Sequence, residues 1–97
     1  MIQSFADPAT ADLFHGRATK GARRACPVSL GRVVRRKLDQ LNGAAALEDL
    51  RAPPGNRLEA LHADRTGQHS IRINAQYRIC FRWTAAGPAD VEVTDYH

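Results

Sequence analysis

Guanidinium, imidazole, carboxyl and phenol side chains gather toward the C-terminal end of the sequence. They are Arg72, Arg78, Asp95, Tyr96 and His97, with His62, Asp64 and Arg65 in a preceding loop. The set has no metal-ligand spacing and no serine or cysteine triad, so its chemistry would rest on proton transfer and positive charge. RNA supplies its own nucleophile, the 2′-hydroxyl group, and cleavage then needs a proton acceptor, a proton donor and positive charge for the pentavalent phosphate. The set therefore suits RNA cleavage without a metal or cofactor.

Each of these residues also has a structural explanation. His97 can be a solvated chain end, Tyr96 a core-edge aromatic residue and Arg78 a surface arginine of a strand. His69 fits a surface or packing role, and the most that it could contribute to function is stacking on a base. From the residues alone, a basic RNA-binding domain and a ribonuclease both stay open.

The basic residues are concentrated in one stretch. The chain has a formal net charge of +4 and a pI of about 9.7, which favours an anionic partner. Residues 17–37 contain no Asp or Glu. Such a block is typical of a surface that binds nucleic acid or an acidic protein, and a solvated helix face is the alternative. Its cations are Arg17, Lys20, Arg23, Arg24, Arg32, Arg35, Arg36 and Lys37.

Two helices are predicted in the N-terminal part. Asp7-Pro8 and Gly16 mark the ends of the first, which lies between a predicted edge strand, Ile2–Phe5, and a basic connector, Arg17–Ala25. The second runs from Pro27 to Asn42 and is ended by the following glycine. Its apolar stripe consists of Leu30, Val33, Val34, Leu38 and Leu41, and its polar side includes Arg32, Arg35 and Arg36.

Four strands are predicted after the break at Pro53-Pro54-Gly55. They are Leu58–Leu61, Ser70–Ile73, Tyr77–Thr84 and Val91–Tyr96. The third alternates between apolar and polar residues, so the sheet has one face for a core and one polar face. Helices followed by an antiparallel sheet define the fold class as α+β, in a single domain that spans residues 1–97.

Side-chain parity predicts the pairing of the last three strands. The second and third should be joined by a three-residue loop, residues 74–76. Alternation sends Asp95 and His97 to the face opposite Tyr96, so all three meet only if the strand ends or twists near Asp95. For the last hairpin the predicted pairs are Trp83 with Val91, Phe81 with Val93, Arg82 with Glu92 and Arg78 with Tyr96.

The expected setting is a reduced compartment. Cys26 and Cys80 are far apart in sequence and are expected to be small packing residues. No leader is predicted at Met1–Phe5, and no apolar run approaches the roughly 20 residues of a membrane span. The expectation is a cytoplasmic protein without a membrane partner.

Several motifs follow one another along the chain, and the most specific lie in residues 56–97. They are Asn56–Arg65, Gly67–Asn74, Tyr77–Trp83 and Val93–His97, preceded by the start Met1–Phe5. Together they resemble the HigB toxins of type II toxin–antitoxin systems, members of the RelE/ParE superfamily also known as plasmid maintenance killer proteins. The resemblance implies a RelE-like fold, with two N-terminal helices packed on a twisted antiparallel sheet. It also implies translation inhibition by ribosome-dependent cleavage of mRNA in the ribosomal A site.

The resemblance assigns roles by position. Arg78 would stabilise the transition-state phosphate, and Asp95-Tyr96-His97 would orient the mRNA or move protons. HigB toxins usually have Lys-Gly where this chain has His62-Ala63, so His62 is assigned as an acid or base without the permanent charge of lysine. Tyr77, where tryptophan is common, is a milder departure. The residues expected to contact RNA are Arg65, Arg72, His69, Arg32, Arg35 and Arg36.

The implied partners are a HigA-type helix-turn-helix antitoxin, the 70S ribosome with its mRNA, and operator DNA reached through the antitoxin. Two other functions stay open. A non-enzymatic ParE-like toxin would bind DNA gyrase, although such a protein has no need of Arg78 or of Asp95-Tyr96-His97. A degenerate toxin would act only as an antitoxin-binding co-repressor module, and the His62 departure keeps that reading open.

Overall fold

Three α-helices and four β-strands make up residues 1–95, the part of the chain that the computed structural model describes. The helices are α1 (Pro8–His15), α2 (Lys20–Ala25) and α3 (Gly31–Gly43). The strands are β1 (Glu59–Ala60), β2 (His69–Arg72), β3 (Tyr77–Thr84) and β4 (Gly87–Asp95), and they form one antiparallel sheet in the order β1-β2-β3-β4. The helices pack on one face of this sheet, so the predicted α+β class is confirmed.

Helix α1 has the ends that the sequence predicts. Its N-cap Asp7 accepts a hydrogen bond at Oδ1 from the Thr10 amide at 2.7 Å, and Pro8 occupies the first turn, where an absent N–H costs nothing. Gly16 ends the helix at φ 72°, and its amide contacts the carbonyls of Asp12 and Leu13.

Helix α3 supplies the largest apolar stripe of the helical layer. Val34, Leu38 and Leu41 are fully buried, and they contact the sheet residues Ile71, Ile79, Phe81, Val91 and Val93 in one cluster. The α-helix begins at Gly31, four residues later than predicted, because Pro27 is extended (ψ 143°) and Val28–Leu30 form a separate 3₁₀ turn.

The segment Arg17–Ala25, predicted to be a connector, contains helix α2 instead. Thr19 caps it, since its Oγ1 accepts a hydrogen bond from the Ala22 amide at 3.1 Å. Ala22 is buried, whereas Arg23 and Arg24 are exposed. The threonine cap was the available sequence signal, but the helix is too short to show an apolar period.

The predicted register between β2 and β3 is confirmed. Ile71 faces Ile79 and Arg72 faces Arg78, across a three-residue loop at 74–76. The Asn74 side chain closes this loop, because its Oδ1 accepts hydrogen bonds from the amides of Gln76 and Tyr77 at 2.9 and 2.7 Å.

The predicted register between β3 and β4 is wrong. Glu92 faces Cys80 rather than Arg82, and Val93 faces Ile79 rather than Phe81. Arg78 faces Thr94, and Tyr96, its predicted partner, lies outside the described residues. The cause is a tight two-residue turn at 85–86 together with an irregularity between Cys80 and Arg82, which the alternation of side chains does not reveal.

The outer edge of β4 is covered by the N-terminal segment. The predicted strand Ile2–Phe5 is reduced to a single parallel bridge between Phe5 and Val91, whose amide donates to the Ser4 carbonyl at 3.1 Å. Further along, the Val93 amide donates to Oγ1 of the buried Thr10 at 3.0 Å. No helix among residues 1–95 has the length and apolar character that a membrane crossing requires.

We expect Thr10→Val to lower the free energy of unfolding by about 1–3 kcal/mol, because the replacement has a similar shape but leaves the buried Val93 amide without an acceptor. Urea unfolding gives the free energy, and amide hydrogen exchange reports on Val93 itself. Thr10→Ser keeps the hydroxyl and should keep the Val93 amide protected. A Thr10→Val variant as stable as the parent would contradict this assignment.

Candidate active site

Arg78 lies on the sheet face that points away from the helices, with its side chain only 12% exposed. Its Nε donates to Ser70 Oγ at 2.7 Å, and its Nη2 donates to the Arg57 carbonyl at 2.9 Å. The same Nη2 lies 3.7 Å from Glu59 Oε1. β1, β2 and the turn before β1 thus hold the guanidinium group in one orientation. A cation fixed in this way needs little reorganisation when negative charge develops beside it.

A second guanidinium residue faces Arg78 directly across the sheet. Arg72 on β2 is its Cα partner, so both side chains start from the same face of adjacent strands. Like charges directly opposite each other destabilise a sheet unless an anion lies between them. Within residues 1–95 no carboxylate comes within salt-bridge distance of Arg72. The pair therefore provides positive charge suited to a phosphate.

Arg65 lies over the same face of the sheet, beside β4. Its Nη1 donates to Gln68 Oε1 and to Glu92 Oε1, both at 3.0 Å. Cys80 is fully buried on β3, and burial raises the pKa of its thiol, while a hydrogen bond with Thr94 and the charge of Arg65 act in the opposite direction. A buried thiol with a raised pKa is a poor nucleophile, so Cys80 is a packing residue here.

Asp95 starts from the other face of the sheet. It faces Tyr77 at the end of the row that contains Ile79 and Val93, and its Oδ2 accepts a hydrogen bond from Gln76 Nε2 at 3.1 Å. Asp95 therefore does not lie on the face of Arg78. This agrees with the prediction from the alternation of side chains along the last strand. Tyr96 and His97, the other two predicted residues of this group, lie outside the described residues.

His62 is exposed and begins the 3₁₀ turn Ala63–Arg65, where its carbonyl accepts a hydrogen bond from the Arg65 amide at 3.1 Å. Ala63 has a φ of 55°, in the left-handed region that glycine adopts most easily. The resemblance expects glycine at this position, and the backbone keeps the conformation that glycine would favour even though alanine occupies it.

The other predicted RNA contacts lie elsewhere. His69 packs beside the core, where its ring stacks on Phe81 at a centroid distance of 6.3 Å and an interplanar angle of 24°. Its Nδ1 is buried and has no hydrogen-bond partner among residues 1–95. Arg32, Arg35 and Arg36 are exposed on α3, in the helical layer, and the sheet separates them from Arg78.

The sequence did not single out Asn56 as an organising residue, yet its side chain is fully buried between α3 and the turns that precede β1. Its Nδ2 contacts the carbonyls of Leu50 and Ala52 at 3.1 and 3.2 Å, and Gln40 Oε1 at 3.1 Å. Its Oδ1 accepts a hydrogen bond from Lys37, an ammonium group whose pKa is lowered by burial and by the nearby charge of Arg36.

Asn56 is also directly connected to the Arg78 site. The next residue, Arg57, has a left-handed backbone (φ 46°), and its carbonyl is the one that accepts a hydrogen bond from Arg78 Nη2. The buried amide thus fixes the turn that positions the guanidinium group. The only sequence signal for this role is the place of Asn56 at the start of a family motif, directly after Pro-Pro-Gly.

We expect Asn56→Ala to lower the free energy of unfolding by at least about 2 kcal/mol, because it leaves buried carbonyls and the Lys37 ammonium group without their partner. Arg51→Ala, at an exposed position in the same segment, should change it by less than about 0.5 kcal/mol. Urea unfolding monitored by circular dichroism measures both. Equal losses in the two variants would mean that Asn56 has no special structural role.

The chain is similar to several known proteins. Residues 3–97 match the profile of a family described as the RelE-like toxin of type II toxin-antitoxin system HigB. Toxin HigB-1 of Vibrio cholerae is 48% identical over 60 residues, which cover 62% of this chain and 63% of that protein. An uncharacterized protein of Haemophilus influenzae is 40% identical over 57 residues, which cover 59% of this chain and 56% of that protein. The matched segments thus span somewhat less than two thirds of these relatives.

A solved structure shares the fold. The YoeB-YefM complex from Staphylococcus aureus contains a chain that aligns with a TM-score of 0.61 and 16% sequence identity, over 100% of this chain and 98% of that one. At this identity the likeness concerns the fold alone. The RelE-like architecture that the sequence motifs imply is thereby confirmed, with three helices where two were predicted.

Proposed function

Because the chain belongs to the HigB family of RelE-like toxins from type II toxin–antitoxin systems, we propose that it is an endoribonuclease that inhibits translation by cleaving mRNA on the ribosome. The observation that carries this proposal is the pair of opposed guanidinium residues on the outer face of the sheet. Arg78 is held in place there by Ser70 and the Arg57 carbonyl, and Arg72 faces it without a carboxylate partner among residues 1–95.

In the proposed reaction the 2′-hydroxyl of the RNA is the nucleophile. It loses its proton to a base as its oxygen bonds to the adjacent phosphorus, and the bond from phosphorus to the 5′-oxygen breaks. The 5′-oxygen takes up a proton, and the other fragment ends in a 2′,3′-cyclic phosphate. Arg78 and Arg72 stabilise the charge on the pentavalent phosphate. The candidates for proton transfer and mRNA orientation are His62 and, from the predicted terminal group, Tyr96 and His97, whereas Asp95 starts from the face opposite Arg78.

The proposal includes the partners that the family implies. A HigA-type helix-turn-helix antitoxin would silence the toxin and connect it to operator DNA, and the 70S ribosome with its mRNA would be the site of action. A protein that acts on translating ribosomes works in the cytoplasm, and the proposed chemistry needs no cofactor because the substrate carries the nucleophile.

A second candidate function, a degenerate toxin that only binds its antitoxin, draws on two observations. His62 replaces the usual lysine, and Asp95 lies on the face opposite Arg78. In that case the protein would keep the fold and its partner but would not cleave RNA. A ParE-like gyrase inhibitor has no comparable support from the residues around Arg78.

We expect Arg78→Ala to reduce cleavage by about 10²–10³-fold, because it removes a fixed donor to the charged transition state. In-vitro translation followed by mapping of mRNA 5′ ends measures cleavage, with mRNA lacking ribosomes alongside. Arg82→Ala, an exposed arginine on the same strand, should leave the rate unchanged. Full activity of a folded Arg78→Ala variant would show that the site is misplaced. Intact mRNA with the parent protein would overturn the ribonuclease proposal itself and favour the antitoxin-binding function.

We expect His62→Lys to change the pH dependence of cleavage. Imidazole and ammonium groups exchange protons over different pH ranges, so the substitution changes the pH profile of a reaction in which the side chain at position 62 takes part. His15→Lys, at an exposed position on α1, is the matched control and should follow the parent protein. Identical profiles for all three proteins would exclude a role of position 62 in proton transfer or charge.

A further inference from the structure

A groove of about 510 Å³ opens in the helical layer, between the C-terminal end of α1, α2 and the first turns of α3. Its floor is aliphatic: Leu13 and the buried Ala22 and Cys26 line it, and Val28 stands at its lip with 76% of its surface exposed. Exposed aliphatic surface next to a concave apolar floor is typical of a site that receives another molecule.

Five arginines surround this floor. They are Arg17, Arg23, Arg32, Arg35 and Arg36, and among residues 1–95 Asp39 is the one acidic residue in the lining. The charge is therefore strongly positive around a floor that is itself apolar.

Two of these arginines, Arg17 and Arg23, are bonded to nearby groups, and Arg35 packs against the end of α1. Arg35 lies over the end of α1, where a Cβ on Gly16 would come within 2.8 Å of its Nη1. Arg23 Nη1 donates a hydrogen bond to the Ala18 carbonyl at 2.9 Å, and Arg17 Nη1 lies 3.5 Å from Asp12 Oδ1. Arg32 and Arg36, by contrast, make no salt bridge within residues 1–95. Two guanidinium groups at the rim thus stay available for carboxylates of a partner.

We propose that this groove docks a short amphipathic helix of an acidic protein partner. Two or three apolar side chains of that helix would lie on Leu13, Cys26 and Val28, and its Asp and Glu residues would pair with Arg32 and Arg36. Such a helix-in-groove mode combines apolar anchors at helical spacing with flanking ion pairs, and guanidinium–carboxylate pairs are the strongest of these.

The lining favours a protein over RNA as the occupant. Surfaces that bind single-stranded RNA combine positive charge with aromatic side chains on which bases stack. None of the described residues that line this groove is aromatic, and its floor is apolar. The surroundings of Arg32, Arg35 and Arg36 thus differ from those of the RNA contact that the resemblance implies. The groove also lies on the opposite side of the sheet from Arg78.

The test measures binding by the full chain and needs no ribonuclease activity, so its failure is distinct from that of the proposed function. The probes are a panel of fluorescein-labelled helical peptides with Leu at positions i, i+3, i+4 and i+7 and Glu elsewhere, varied in length. Scrambled peptides of the same composition and a single-stranded RNA of equal negative charge are the comparison probes. Fluorescence anisotropy gives the dissociation constants.

We expect the patterned peptides to bind saturably, with dissociation constants at least about tenfold lower than those of the scrambled peptides. Val28→Asp and the double variant Arg32→Glu/Arg36→Glu should each weaken it by about tenfold or more. The control Arg24→Glu/Arg51→Glu reverses two exposed arginines that do not line the groove and should bind as the parent does.

Three outcomes would overturn the proposal. The first is no saturable binding of any patterned peptide. The second is an equal loss in the control variant, which would reveal a non-specific charge effect. The third is tighter binding of the RNA, lost in Arg32→Glu/Arg36→Glu but kept in Val28→Asp, which would make the groove an RNA surface.

Discussion

The buried amide of Asn56 is the interaction on which the outer face of the sheet depends. Its hydrogen bonds connect α3, through Gln40 and Lys37, to the carbonyls of the turn region that precedes β1. Asn56 thereby fixes the left-handed residue whose carbonyl orients Arg78. A buried polar group is stabilising only when its partners are all present, so this region tolerates few alternative arrangements. The helical layer in this way determines the position of a cation on the far side of the sheet.

The molecule divides its positive charge between two surfaces of different character. On the sheet, Arg72 and Arg78 emerge from neighbouring strands onto a polar face with Ser70, Thr94 and Glu92. On the helices, arginines surround an aliphatic floor. The first surface suits a phosphate and the second an apolar side chain with carboxylates around it. A net charge of +4 does not reveal this division.

The sequence predicted those features that local rules determine. Asp7-Pro8 and Gly16 bound α1, and the parity of the isoleucines gave the β2–β3 register and its three-residue loop. The prediction of the β3–β4 register was wrong because the irregularity after Cys80 changes the pairing without changing the alternation of side chains. Helix α2 was missed because one threonine cap is a weak signal. The role of Asn56 depends on partners distant in sequence, such as Lys37 and Gln40, so no local pattern contains it.

The covered edge of β4 limits the ways in which this fold can meet another protein. The N-terminal segment and Thr10 occupy the outward hydrogen-bonding groups at Val91 and Val93, and β1 at the other edge is only two residues long. Recognition by strand addition needs a row of free main-chain groups, and it is largely indifferent to the side chains that pair. With both edges of the sheet unsuited to it, a partner must be chosen through side chains. Point substitutions can therefore change the binding specificity while the backbone stays the same.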